Sequence, residues 1–306
     1  MRLIFIILGV FLVYFLLKHF LPQKQENPPQ LVVPVTSNKQ KLNLPLAIGN
    51  LTNDKLRQEI EEALKDTKGT YGIVVKNLKT EENYQLNEHK TFQVGSLYKL
   101  WIMATVFNKI QSGVLTGDEE LSSSVDVLNG KFNIDPDLAE MTEGTITLTV
   151  GSALKQMITI SHNYAALLLT EKIRLSNVAA FLKEQDFKES KVGVNGEAPV
   201  STPFDIASFF EKLYKGKLGN AESTGKMLEL LKQQTLNNKL PKGLPQGIAI
   251  AHKTGELGYF THDAGIVFSE KGDYIIVILS ESDYPPGAEE RIGMVSKAVY
   301  EYFQKN

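Results

Sequence analysis

A serine and a lysine three residues apart stand at the head of a strongly apolar predicted helix. The stretch is Val94-Gly95-Ser96-Leu97-Tyr98-Lys99-Leu100-Trp101, continued by Ile102, Met103, Val106, Phe107 and Ile110. Positions three apart share a helix face, so the Ser96 hydroxyl and the Lys99 amine can meet. A helix this apolar all round belongs in the core. A lysine one turn into it is costly unless it is paired or loses its proton. A depressed amine beside a hydroxyl is one way to turn serine into a nucleophile. The spacing alone is weak, because Ser152-Ala153-Leu154-Lys155 and Ser223-Thr224-Gly225-Lys226 repeat it.

Two further clusters follow in the chain. Ile160-Ser161-His162-Asn163-Tyr164-Ala165 lies between two predicted helices, where a turn can project Ser161 and Asn163. His252-Lys253-Thr254-Gly255 ends a predicted strand. Each residue also has a bland reading. Ser96 is placed like a helix N-cap, Lys99 can snorkel, Ser161 and Asn163 are ordinary turn residues, and Lys253-Thr254-Gly255 is an ordinary strand end. Their joint occurrence in this order outweighs those readings.

The chain that must position these groups has 306 residues, a formal net charge of -2 and no cysteine. Balanced charge without long basic runs argues against a nucleic-acid partner. Zero cysteine rules out a thiolate nucleophile, disulfides and Cys-based metal sites. Leu3 to Leu17 is apolar apart from Gly9 and Tyr14, with Lys18 and His19 at its edge. That run suits a membrane-spanning helix. No small-x-small cleavage site follows it, which favours an uncleaved signal anchor over a signal peptide. The organisation read from the sequence is an anchor over 1–21, a Gln-, Asn- and Pro-rich linker over 22–46, and a folded domain over 47–306.

Within the domain, Asn53 is expected to cap a helix through Lys65, and Thr70–Leu78 and Tyr84–Asn87 to form a hairpin. The core helix should run from Ser96 to Ser112, and residues 114–235 should be mainly helical. Ser176 is expected to cap one of those helices, and Thr202-Pro203 has the form of Ncap and N1 of another. Three strands near 247–253, 263–268 and 273–280 and a closing helix over 287–303 complete the pattern. Strands at both ends flanking a helical middle predict an α/β (α+β) fold: one antiparallel sheet flanked by helices, with a helical insertion.

Ser-x-x-Lys, then Ser-x-Asn, then Lys-Thr-Gly is the motif set of penicillin-binding proteins and class A β-lactamases. Over roughly residues 47 to 306 the chain resembles that serine hydrolase family, and the fold above is the β-lactamase/transpeptidase-like one. The resemblance implies a role for each matching residue. Ser96 would attack a carbonyl and form an acyl-enzyme. Lys99 would take its proton, kept partly neutral by burial and by Lys253. Ser161 would relay a proton to the leaving amine. Asn163 would hold a substrate amide. Lys253 and Thr254 would bind a substrate carboxylate beside Gly255. Backbone N–H groups of Ser96 and Glu256 would form the oxyanion hole. No cofactor or metal is implied. His162, His252 and His262 are read as structural, with contact between His262 and the carboxylate as the minor alternative.

The chain also departs from the class A pattern. The loop expected between Phe187 and Ser201 carries Glu189 and Glu197, but neither lies in the Glu-x-x-Leu-Asn setting of a deacylating base. No arginine stands on the strand after Lys-Thr-Gly, and Glu256 follows that motif directly. The expectation is therefore an acyl-serine enzyme of the penicillin-binding, D-Ala-D-Ala peptidase kind. The alternatives are a class A-like β-lactamase and an idle cell-wall peptide-binding domain. Its partners would be a β-lactam or a peptidoglycan stem peptide and, through the N-terminal helix, a membrane, with the site outside the cytoplasm.

Overall fold

The computed structural model describes residues 54–305 apart from 138 and 195. The anchor and linker expectations, and the Asn53 cap, lie outside the described residues. Among those described, no helix is long and apolar enough to cross a membrane.

The elements run α1 (Asp54–Ala63), β1 (Thr70–Asn77), β2 (Asn83–Leu86), β3 (Phe92–Gln93), a 3-10 turn (Gly95–Tyr98), α2 (Lys99–Gln111), β4 (Glu120–Ser124), α3 (Val125–Lys131), β5 (Thr145–Thr149), α4 (Val150–Thr159), α5 (Asn163–Ile173), α6 (Leu175–Glu184), β6 (Val200–Ser201), α7 (Pro203–Tyr214), α8 (Ala221–Lys232), a second 3-10 turn (Leu240–Gly243), β7 (Ile250–Leu257), β8 (Phe260–Val267), β9 (Tyr274–Glu281) and α9 (Pro285–Lys305). The central sheet has the order β2-β1-β9-β8-β7, so strands from both chain ends meet where β1 pairs with β9.

Side chains on a strand alternate between faces, and here both faces are apolar. Val74, Ile275, Val277 and Leu279 face the core built around α2. Tyr71, Ile73, Val75, Ile276 and Ile278 face a second core completed by Leu56 and Ile60 of α1 and Val295, Val299 and Phe303 of α9. On α2, Leu100, Trp101, Ile102 and Met103 are no more than 1% exposed. Burying each such side chain contributes about 1.5–3 kcal/mol, which fixes the helix that carries Lys99.

Four expectations are corrected. Ser96 lies in a 3-10 turn and not in the α-helix, which begins at Lys99. Gly95 at φ 47° sets the tighter turn. Residues 114–235 contain the antiparallel pair β4–β5, which the helical reading passed over. Lys253-Thr254-Gly255 lies inside β7 and does not end it, because pairing with β8 continues to Leu257 opposite Phe260. Arg174 and not Ser176 is the Ncap of α6. The Thr202 cap is as expected: its side chain accepts from the Asp205 N–H, with Pro203 in the first turn.

Candidate active site

Two glycines join the 3-10 turn to β7. A Cβ on Gly95 would lie 2.6 Å from the Glu256 carbonyl oxygen, and one on Gly255 would lie 2.4 Å from that of Val94. Real Cβ atoms do not approach so closely, so only glycine permits this contact. It brings Ser96 against the strand that carries Lys253. The segment between α4 and α5 closes the third side. Ser161 has φ 57°, a left-handed conformation that costs a non-glycine residue about 1–3 kcal/mol. The strain is sustained by what its groups bind.

Lys99 Nζ donates to the Ser161 carbonyl at 2.6 Å and to Asn163 Oδ1 at 2.6 Å, and lies 3.2 Å from Ser161 Oγ. Lys253 Nζ donates to the Thr254 carbonyl at 2.9 Å and lies 2.9 Å from Ser161 Oγ. Both lysines are 0% exposed. One hydroxyl therefore bridges two buried amines. Burial, reinforced by the charge of Lys253 and opposed by Glu140, holds the Lys99 pKa well below its ordinary value. Burial, with help from Lys239 and against Asp263 and Glu256, brings Lys253 down to about 7.

A neutral amine has two N–H donors and one lone pair. On Lys99 the two carbonyl-type acceptors at 2.6 Å take both donors. The lone pair is left for a hydroxyl. Ser161 can donate to it while accepting from Lys253, which makes a proton path across the site. The hydrogen bonds of Lys99 all go to Ser161 and Asn163, and none to Ser96. The direct Ser96–Lys99 bond suggested by the three-residue spacing is thus replaced by a lysine turned toward the second motif. The cause is competition: a backbone carbonyl and an amide oxygen in a buried setting outbid one half-exposed hydroxyl for the donors.

Asn163 is oriented at both ends, since its Nδ2 donates to Glu140 Oε1 at 2.6 Å. His162 caps α5, its Nδ1 accepting from the Ala165 N–H at 3.2 Å. His262 donates from Nε2 to the Gln93 carbonyl and accepts at Nδ1 from the Ser280 N–H. Burial pushes it down to about 4. Both its nitrogens are thus used by backbone partners, in keeping with the structural reading. His252 is paired with Asp263 at 2.9 Å.

A model of the β-lactamase enzyme family matches residues 55–303. The chain belongs to that family. It is 24% identical to β-lactamase VEB-1 of Pseudomonas aeruginosa over 281 residues, covering 84% of this chain and 93% of that one. To the extended-spectrum β-lactamase PER-1 of the same organism it is 24% identical over 274 residues, covering 81% and 87%. Among solved structures, PBP-A superposes with a TM-score of 0.71 at 22% identity, over 83% of this chain and 97% of that one. A β-lactamase from Sphaerobacter thermophilus gives 0.72 at 20% identity, over 83% and 98%. The β-lactamase/transpeptidase-like fold is thereby shown, and the chain is a class A β-lactamase-like serine hydrolase.

Within this β-lactamase-family fold, the three motifs come together, and the 185–199 loop is joined to the first at its end, where the Val94 N–H donates to the Pro199 carbonyl at 3.0 Å. Glu189 Oε2 accepts from Thr202 Oγ1 at 2.6 Å, and its Oε1 lies 2.9 Å from His89 Nδ1. Glu197 lines a groove against α6 with Ala179, Leu182 and Val192, and Ser96, Lys99, Ser161 and Lys253 take no part in that groove. Glu256 forms an ion pair with Lys239, whose side chain is fully buried. Two site residues escaped the sequence reading. Glu140 is one of four acids from Asp135 to Glu143, and nothing in its neighbours singles it out. Lys239 lies in Asn237-Asn238-Lys239-Leu240-Pro241, where the one signal was a lysine beside a proline-started turn.

Proposed function

We propose that this β-lactamase-family chain is a penicillin-binding, D-Ala-D-Ala peptidase-like enzyme that acylates readily on Ser96 and deacylates slowly. One observation carries the reading: of the two glutamates of the 185–199 loop, Glu189 is bonded to Thr202 and Glu197 lines a separate groove, while both buried lysines converge on Ser161. In this reading Ser96 attacks the carbonyl of a β-lactam or a stem peptide. Lys99, neutral through burial, receives the proton, and Ser161 passes it to the departing amine under the field of Lys253. The N–H groups of Ser96 and Glu256 hold the developing oxyanion, each donor being worth roughly 3 kcal/mol of transition-state stabilisation. Asn163 holds the acyl amide, and Lys253 with Thr254 holds the carboxylate beside Gly255. Support also comes from PBP-A, a variant of which is known as an acyl-enzyme complex with penicillin G.

A β-lactamase is the second reading, favoured by the match to VEB-1 and PER-1. A tethered position outside the cytoplasm belongs to the proposal and rests on the apolar run from Leu3 to Leu17. The test is labelling of the full-length protein with a fluorescent penicillin. A covalent adduct absent from Ser96→Ala is expected. No adduct would support the idle peptide-binding domain instead, and an adduct that survives the substitution would refute acylation at Ser96. Fast nitrocefin turnover lost in Glu197→Gln would support the β-lactamase.

A further inference from the structure

Lys239 has no part in the proton path, yet it is 0% exposed. The segment that carries it, between α8 and β7, is fastened along β7. Asn237 Oδ1 lies 3.1 Å from His252 Nε2. The Leu240 N–H donates to Asp263 Oδ2 at 3.0 Å, and Asp263 is the cross-strand partner of Thr254. This seating delivers the Lys239 ammonium to the residue just past Lys-Thr-Gly, where it pairs with Glu256. Glu289 Oε1 of α9 is the more distant acid, at 4.0 Å. The two partners differ sharply in exposure: the Lys239 side chain is at 0% and that of Glu256 at 55%. A buried ammonium requires an anion, and here the anion reaches in from the solvent side.

We propose that Glu256 is an internal stand-in for a substrate carboxylate: paired with Lys239 next to Lys253-Thr254-Gly255, it lowers the preference of the site for carboxylate-bearing substrates over amides and esters that are neutral at that end. This rests on the acyl-serine reading above, which places Thr254 and Lys253 beside the same end. A carboxylate arriving there meets the Glu256 charge, and like charges in contact across an interface discriminate strongly against a ligand. A neutral group leaves the pair intact. Glu256 would thus act as a specificity-determining side chain, separate from the work of its backbone N–H.

Two measurements on the full-length protein test this without using acylation. The first is thermal unfolding in acetate against chloride at equal ionic strength. Replacing Glu256 by Gln opens the Lys239 site, so acetate should raise the Tm of Glu256→Gln and leave that of the parent where chloride leaves it. Equal responses to the two salts in both proteins would overturn the proposal. The second is equilibrium binding of benzylpenicillin and its methyl ester in a Ser96→Ala background. Glu256→Gln should raise the preference for acid over ester by about tenfold, and adding Lys239→Gln should abolish the gain. An unchanged preference in Glu256→Gln, or a gain that persists without Lys239, would refute it. Failure of penicillin labelling would count against the acyl-serine reading alone.

Discussion

The segment around Ser161 and the loop over residues 185–199 flank the same fold and are organised in opposite ways. At Ser161 both oxygens face the buried amines: its carbonyl and Oγ meet Lys99, and Oγ also meets Lys253. In the 185–199 loop the polar groups face the scaffold. The Glu189 N–H and Ser190 Oγ both donate to Asp205, and the Glu189 carboxylate takes Thr202. The Lys191–Val200 bridge then closes the loop on itself. Forming an acyl-enzyme needs a nucleophile, a base and a proton path, whereas releasing it by hydrolysis needs a further base that activates water. Of the first set, two buried amines sharing one hydroxyl are assembled here, while Glu189 is held by Thr202 and Glu197 lines a separate groove.

The largest way to break this contrast is to remove the amine at its centre. Lys99→Met should lower the penicillin acylation rate by about 10²–10⁴-fold, the usual range for a general base. Stopped-flow labelling measures it, and a loss under tenfold would take Lys99 out of the proton path. Next is the contact that brings turn and strand together. Gly255→Ala places a Cβ against the Val94 carbonyl and should cost about 1–3 kcal/mol of stability in urea denaturation, together with most of the acylation rate.

The pH dependence sharpens the contrast more gently. Lys253 titrates near 7, so its positive charge is complete below that value and is lost as pH rises through it. The second-order acylation constant for a carboxylate-bearing β-lactam reports the free enzyme. It should fall above about pH 7 by up to tenfold per unit, and a constant that keeps rising to pH 9 would contradict the assignment. The smallest effects belong to the other region. Glu189→Gln and Glu197→Gln should each leave the adduct lifetime within about threefold of the parent, far below the loss typical of a true catalytic base.

What the sequence made legible follows from this same division. Ser96, Lys99, Ser161, Asn163 and Lys253 were readable as a set because their types and order match a family pattern, and the structure brings Lys99, Ser161, Asn163 and Lys253 together. The sheet was readable because β1 and β9 are nearly continuous apolar runs. The β4–β5 pair was not: Glu120-Leu121-Ser122-Ser123-Ser124 has a single buried residue, and Thr145-Ile146-Thr147-Leu148-Thr149 runs straight into a helix whose apolar spacing masked its alternation. The extension of β7 was hidden by Glu256, a poor strand former held there by Lys239. That pair joins positions 17 apart, and no periodicity links them. The orientation of Lys99 toward Ser161 depended on a turn conformation that only the fold supplies.

The most direct test of slow deacylation is a time course of intact mass after a brief exposure of the full-length protein to benzylpenicillin. An added mass of one penicillin that is located on Ser96 and persists for many minutes after the free drug is removed is the predicted result. Return to the unmodified mass within seconds would contradict it and make hydrolysis the activity of this site.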